Sequence, residues 1–238
     1  MKYFAILTNF LRDRSQFLDD ISKDVRLEKK IVALLICSSV FFAIYGAIMG
    51  SFAGGLQILS SAIKLPALYL LTLIICLPTL YFFDIISGSK RTFSQYLALL
   101  LASMSIISVM LFGFAPVTLF FRISINDYVF FTLLNVAILA ITGFIGINFF
   151  YKAMRSFTDQ DSEQVKYRTS VVKGWLVLYA FVGSQLGWTL RPFFGEPSQP
   201  FQLFRNLESN FYVEVLKLIG RALFPYSRQG IVDWVILG

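Results

Sequence analysis

The sequence predicts an all-α fold, a polytopic bundle in a membrane with about five transmembrane helices and an amphipathic surface helix at both ends. Of its 238 residues, 57% are hydrophobic and only 15% are charged, whereas a soluble domain typically carries about 25% charge. Apolar runs of about twenty residues recur along the chain, and that length crosses about 30 Å of hydrocarbon. The first run, residues 31–50, has no charge and directly follows Lys29 and Lys30, which is typical of a first membrane span.

Residues 1–30 are predicted to form a cytoplasmic amphipathic segment ahead of the membrane domain at 31–190. Phe4, Leu7, Leu11, Leu18 and Ile21 recur at helical spacing. This pattern favours a helix lying on the membrane face, and the alternative is a docking helix for a partner protein. A cleaved signal peptide would need a shorter basic region and an apolar stretch of only about 7–15 residues, so we expect an uncleaved anchor.

The first span leads into a glycine-rich connection. Gly46, Gly50 and Gly54 are four residues apart, so they share one helix face and are candidate helix-packing positions. Residues 56–65 are too short to cross, and we expect a surface helix ended by Pro66. Residues 66–86 are the predicted second span, with a bend at Pro78.

Three further spans are predicted. Residues 93–121 exceed a perpendicular span and are expected to tilt, to extend beyond the hydrocarbon core or to break at 113–116. Residues 128–151 form the fourth span. Residues 171–190 form the fifth, in which Gly183 and Gly187 are candidate packing positions. The acids of the loop before it lack the glycine and the terminal glutamate of a calcium loop, so we expect a solvated loop; they are Asp159, Asp161 and Glu163.

Few residues in the spans could carry chemistry. The chain has no His, which removes the commonest general base and metal ligand. Asp84, Asn135 and Gln185 are the candidate polar residues, together with Asn148. They either form hydrogen bonds between helices or line a small conduit. We expect no catalytic residue, no metal and no cofactor, and the two cysteines are read as buried hydrophobes.

The region 191–238 is predicted to be an exterior loop rich in aromatic residues and proline, followed by an amphipathic helix at 206–224. Trp188 and Arg191 are candidate contacts for lipid or an exterior partner. We expect residues 185–205 to be ordered against the ends of the spans, because four phenylalanines are too many to leave in water. These are Phe193, Phe194, Phe201 and Phe204.

The charge distribution predicts orientation. Lys and Arg are concentrated before the first span and in alternate short loops, which predicts a cytoplasmic N-terminus and an exterior C-terminus. The net charge of +7 indicates anionic lipid as a partner and not nucleic acid.

The layout of a charged N-terminus and five closely spaced spans resembles the Yip family of five-span membrane proteins, over residues 25–190. The DLYGP-like signature of its eukaryotic members is absent, so Rab-linked trafficking is not implied. The stretches YGAIMGSFAGGLQILSSAIKLP and QLGWTLRPFFGEPSQPFQLFR are similar to an uncharacterised bacterial membrane-protein family. The resemblance implies a bacterial inner membrane and transfers no functional residue.

Two functions follow as hypotheses. The first is a non-enzymatic membrane protein that organises or assembles partners, either another membrane protein or a second copy of itself. The alternative is a small-solute channel or permease, or a membrane subunit of a transporter, with a polar path past Asn135 and Gln185. An intramembrane enzyme is a third and weaker reading.

Overall fold

The computed structural model describes residues 2–89, 91–125, 127–156, 162–195, 201–204 and 211–223. Within these ranges the chain is all-helical and has no strand, as the sequence predicts. The helices in chain order are α1 (Lys2–Arg12), α2 (Arg14–Ser22), α3 (Leu27–Gly50), α4 (Gly55–Ile86), α5 (Phe93–Ser124), α6 (Tyr128–Ser156), α7 (Ser162–Thr189) and α8 (Phe211–Leu223).

Four helices, α3 to α6, are long and apolar enough to cross a membrane. The predicted fifth span lies in α7, whose 28 residues extend about 42 Å at 1.5 Å per residue. That length suffices, but α7 is not among the helices that are apolar enough over the described residues. Lys173, Ser184 and Gln185 account for part of the difference. Length and composition thus show four membrane-crossing helices among the described residues, and the fifth span, in α7, stays a prediction.

The prediction for residues 56–86 is wrong in one respect. There is no separate surface helix at 56–65, because α4 runs unbroken from Gly55 to Ile86 with both Pro66 and Pro78 inside it. Proline removes one backbone donor, and in membrane helices the packing of neighbouring helices compensates for it. The predicted break in the third span is also absent, since α5 is continuous through Gly113 and Pro116.

Helix α5 is the most enclosed of the four spans, with 67% of its most apolar window buried. It begins with a capping box in which the Thr92 hydroxyl accepts a hydrogen bond from the Gln95 amide and the Gln95 side chain accepts one from the Thr92 amide. This arrangement satisfies two amides that the first turn of a helix leaves unpaired. A defined start therefore sets the register of α5 against its neighbours.

The N-terminal segment packs against the bundle. It forms two helices separated at Asp13, which caps α2 by accepting a hydrogen bond from the Gln16 amide. Leu7, Phe10, Phe17 and Ile21 are all buried. Phe10 contacts the ring of Phe149 on α6, and Lys30 of α3 forms a 2.7 Å ion pair with Asp20. The buried apolar side chains of this segment therefore pack largely on the ends of α3, α5 and α6.

Successive spans are antiparallel, so the bundle has two ends. We call the end with α1, α2 and the start of α3 the N-terminal end. We call the other end, which has the turns after α3 and α5 and the end of α7, the loop end. Helix α3 packs against both α4 and α5, α6 packs on α5, and α7 packs mainly on α4.

Helix α8 lies at the loop end, where the Tyr212 hydroxyl is 2.9 Å from the Ser184 hydroxyl of α7. Its Tyr212, Val213, Leu216 and Ile219 are exposed, which fits an apolar face in contact with a bilayer surface. The predicted caps of this helix, Asn206 and Asn210, lie outside the described residues, as do Asp159, Asp161 and the side chain of Glu163.

Candidate functional site

The most unusual feature of the bundle is a polar face on α4. Gln57, Ser60, Ser61 and Lys64 fall within an arc of about 100° when each residue advances by 100°. Their exposed fractions are 3%, 7%, 0% and 5%. We call these four residues the α4 donor cluster. Polar residues this deeply buried normally have hydrogen-bond partners, so the partners identify what the cluster does.

The loop after α7 supplies those partners. Gln57 Nε2 donates to the carbonyl oxygen of Pro192 at 2.8 Å and to Ser61 Oγ at 3.1 Å. Ser61 Oγ donates to the carbonyl oxygen of Phe193. The first residues of the loop are thus bound to α4 by three side chains, counting Lys64.

Lys64 carries the charge of this site. Its ammonium group donates to the carbonyl oxygens of Pro192 at 3.3 Å and of Leu203. It also lies 4.9 Å from the centroid of the Phe204 ring. Two separate stretches of the loop therefore converge on one cation.

The cluster lies in the first third of α4, beside the last turns of α3. A Cβ atom on Gly46 would lie 2.3 Å from the Ser61 carbonyl oxygen, and one on Gly50 would lie 2.5 Å from that of Gln57. Since α3 and α4 are antiparallel, Lys64 is level with residues near 43, about 10 Å from the end of α3. A charged residue buried among membrane helices is rare and usually functional.

Sequence reasoning missed this site. The predicted surface helix at 56–65 leaves Lys64 outside the predicted spans, so the pattern gives no reason to single out its charge. The signal that could have found it is the spacing of Gln57, Ser60, Ser61 and Lys64, which places four polar residues on one side of an otherwise apolar helix.

The glycine next to the cluster shows how closely the loop approaches. Gly195 has φ +64, and a Cβ atom there would lie 2.6 Å from the Cβ atom of Ala53. Pro192 and Phe193 are buried. The prediction that the tail packs on the bundle is confirmed for this part. Phe201 and Phe204, however, are 46% and 56% exposed, contrary to the expectation that all four phenylalanines are buried.

Asn135, predicted as a polar lining residue, lies away from the α4 donor cluster. It is fully buried on α6, where Tyr45 donates to its Oδ1 atom at 2.8 Å and its Nδ2 atom donates to the Phe131 carbonyl oxygen at 2.8 Å. The Tyr45 oxygen is 3.2 Å from Thr118 Oγ1, so Thr118 is the donor of that bond. Three helices, α3, α5 and α6, are thus joined by one polar network.

Asp84 lies near the N-terminal end of the bundle. It is fully buried and accepts a hydrogen bond from the Tyr96 hydroxyl. That hydroxyl is also 2.7 Å from Ser89 Oγ. Asp84 and Asn135 therefore lie towards opposite ends and serve separate helix contacts, and the third candidate, Gln185, is half-buried on α7.

The predicted packing glycines divide into two groups. Gly46 and Gly50 contact the backbone of α4, and Gly183 faces the Thr72 side chain of α4, 3.6 Å from the position of its Cβ. Gly187 has no atom within 4 Å of that position. Gly54 has the same open space and φ +72, because it caps the start of α4 in a turn.

Trp188 and Arg191, the predicted lipid or partner contacts, are brought together. The Arg191 guanidinium lies 3.5 Å from the centroid of the Trp188 ring, a cation–π contact. Both residues are half-buried at the loop end, three residues apart at the end of α7. The contact between Trp188 and Arg191 thus lies where the loop that contacts the α4 donor cluster begins.

Comparison with protein-family models, with curated proteins and with solved structures found no match to this chain. The resemblance to the Yip family therefore stays a prediction.

Proposed function

We propose that this chain is a non-enzymatic integral membrane protein that assembles with another membrane protein, with α7 as the contact helix. The observation that carries this proposal is the character of α7. The helix is long enough to cross a bilayer and yet less apolar than α3 to α6. A membrane helix with polar and small residues is stabilised when another protein helix, and not lipid alone, covers it.

The packing of α7 supports the same proposal. One face contacts α4, where Trp175 Nε1 donates to the Cys76 carbonyl oxygen at 3.0 Å. The opposite face carries Val177, Leu178 and Phe181, which are 71%, 41% and 50% exposed. Gly187 leaves open space for a neighbouring backbone. Small residues at a helix surface permit the close approach on which helix association in lipid depends.

Site-specific photo-crosslinking tests this function. A photoreactive phenylalanine analogue at Phe181 is expected to yield a discrete protein adduct in native membranes. The matched control is the same analogue at Phe144, which is 71% exposed on α6. Protein adducts at both positions, or lipid adducts only at Phe181, would contradict the proposal. Mass spectrometry of the adduct distinguishes another membrane protein from a second copy of this chain.

The same proposal includes the membrane in which the protein lies and its orientation in that membrane. We place the protein in a bacterial inner membrane with α1 and α2 on the cytoplasmic side and the loop end exterior. The support is the distribution of Lys and Arg among the short loops. Cysteine accessibility from each side tests it. A cysteine at Ser15 of α2 is expected to be labelled only after the membrane is opened, and one at Thr189 in intact cells.

A channel or permease is the second candidate, and one observation favours it. Lys64 is an ionisable residue inside a span and contacts non-helical backbone, a combination found along substrate paths. The predicted path past Asn135 and Gln185 is not supported, because Asn135 is used to join α3, α5 and α6. Flux of ions or small neutral solutes through proteoliposomes that is lost on Lys64→Gln would favour this function over assembly.

A further inference from the structure

Three residues of the α4 donor cluster donate hydrogen bonds to oxygen acceptors outside the cluster. Gln57, Ser61 and Lys64 donate to the main-chain oxygens of Pro192, Phe193 and Leu203. Ammonium, hydroxyl and amide donors converging on several oxygens are the chemistry that binds a phosphate group. The oxygens that accept these bonds in the structure are uncharged main-chain oxygens of the loop.

The charge of Lys64 is not balanced by these oxygens. Both of its hydrogen-bond acceptors are uncharged. The ion pairs found among the described residues are Lys23–Asp19 and Lys30–Asp20, and neither includes Lys64. A buried charge without a counter-charge is unfavourable, so an anion bound here would gain more than it would at a neutral site.

A second observation points to the same place. Ser60 Oγ is buried and has no hydrogen-bond partner, although Ser60 is only 7% exposed and lies one turn before Lys64 on the same face. An ammonium group has three donors, and Lys64 uses two of them on carbonyl oxygens. One lysine donor and one serine hydroxyl therefore remain for a ligand.

We propose that the α4 donor cluster binds a phosphate group, from an anionic lipid or from free phosphate, with Phe204 as its movable cover. Phosphate suits the site because its several oxygens can accept hydrogen bonds from both the remaining lysine donor and the Ser60 hydroxyl. Phe204 lies over the ammonium group and is 56% exposed, so it can swing aside without breaking a hydrogen bond. This proposal does not depend on a partner at α7.

Thermal unfolding of the full chain in nanodiscs tests the proposal. One arm compares discs of phosphatidylcholine alone with discs in which one lipid in five is phosphatidylglycerol. The second arm adds inorganic phosphate to the phosphatidylcholine discs, with chloride at equal ionic strength as the reference. A ligand that binds only the folded state raises Tm. A rise in the first arm alone assigns the site to the phosphate of an anionic lipid, and a rise in the second assigns it to free phosphate.

Three variants test whether the rise in Tm comes from phosphate bound at the α4 donor cluster. Lys64→Gln is expected to weaken phosphate binding about ten- to a hundredfold, because charge-assisted hydrogen bonds are lost. Ser60→Ala breaks no bond within the protein and is expected to weaken binding several-fold while the chain folds normally. Phe204→Ala removes only the cover and is expected to strengthen binding. The matched control is Lys173→Gln, since Lys173 is exposed on α7, where its ammonium group lies 5.9 Å from the centroid of the Tyr151 ring.

Two results would overturn the inference. The first is the absence of any shift in Tm with either source of phosphate in the unmodified protein. The second is a shift that Ser60→Ala, Phe204→Ala and Lys173→Gln leave at the same size, because the phosphate would then bind elsewhere. If Lys64→Gln does not fold, the comparison of Ser60→Ala and Phe204→Ala with Lys173→Gln still decides the matter.

Discussion

Lys64 of α4 donates a hydrogen bond to the carbonyl oxygen of Pro192, 128 residues later in the chain, across 3.3 Å. The contact joins a charged residue inside a membrane helix to the loop that follows the last long helix. Side chains of α4 satisfy main-chain oxygens of this loop, as non-helical backbone packed against membrane helices requires. The stability of the loop end is therefore expected to depend on α4.

The two adjacent serines of α4 give the sharpest test of this dependence. Ser61→Ala is expected to lower the free energy of unfolding by about 1–3 kcal/mol, because it leaves the buried Phe193 carbonyl oxygen without its donor. Ser60→Ala is the control, since Ser60 Oγ has no partner to lose. Denaturant titration in mild detergent measures the difference. Equal losses for the two variants would show that the loop is not held through Ser61.

Limited proteolysis reports the same contact locally. Ser61→Ala is expected to speed cleavage between Phe193 and Phe204, because the loop is then held by fewer hydrogen bonds. Cleavage near Arg12, at the other end of the bundle, provides the internal reference. A uniform increase at both sites would indicate global loosening and not release of the loop.

The contact between α3 and α4 is tested at Gly46. Gly46→Ala is expected to destabilise the protein by about 1–3 kcal/mol through overpacking, because a Cβ atom would lie 2.3 Å from a backbone oxygen of Ser61. Gly143→Ala on α6 is the matched control, as its Cβ would meet nothing within 4 Å. Helix propensity favours alanine in both cases, so a loss of thermal stability at Gly46 alone isolates the steric effect.

The polar network of α3, α5 and α6 is tested at Tyr45. Tyr45→Phe is expected to cost about 1–2 kcal/mol, because Asn135 Oδ1 then lacks a donor in a fully buried site. The control is Tyr69→Phe, since Tyr69 stacks on Phe42 with ring centroids 4.1 Å apart and keeps that contact without its hydroxyl. Unfolding of both variants by increasing denaturant measures the cost. A larger loss for Tyr69→Phe would contradict the network.

A pH effect is expected at the N-terminal end, outside the spans. A hydrogen bond and the charge of Asp19 raise the pKa of Lys23 above its ordinary 10.5. A raised pKa in the folded state means that this contribution to stability is complete below pH 10.5 and is lost as pH rises through the folded pKa. Asp19→Asn is expected to lower the pKa of Lys23 back towards 10.5. Nuclear magnetic resonance titration of methylated lysines measures the shift, and an unchanged pKa would show that the ion pair does not form in solution.

Some of the fold follows from local physical chemistry. The charge-free run at residues 31–50, after Lys29 and Lys30, predicts a membrane helix, and α3 covers it. The spacing of Gly46 and Gly50 predicts a small-residue face, and both glycines contact α4. These features depend on length, apolar content and helical period, which a single sequence displays directly.

Other features of the fold do not follow from the sequence alone. A proline inside a helix removes a backbone donor and usually ends the helix, so Pro66 predicts a boundary, yet α4 continues through it. If the helix ended at Pro66, Lys64 would lie in a surface helix at the interface, where a charged residue is ordinary. The pattern in residues 1–21 predicted an apolar face but not whether lipid or protein covers it, and Phe10 contacts Phe149 of α6.

The sequence by itself determined the class of this protein, because burying apolar side chains in a bilayer depends on composition and length alone. It also determined the small-residue face of α3 and the basic flank of the first span. Only the tertiary structure decided that Gln57, Ser61 and Lys64 meet a loop more than a hundred residues away. The physical reason is that a hydrogen bond depends on the distance and angle between two groups in space, and separation along the chain sets neither.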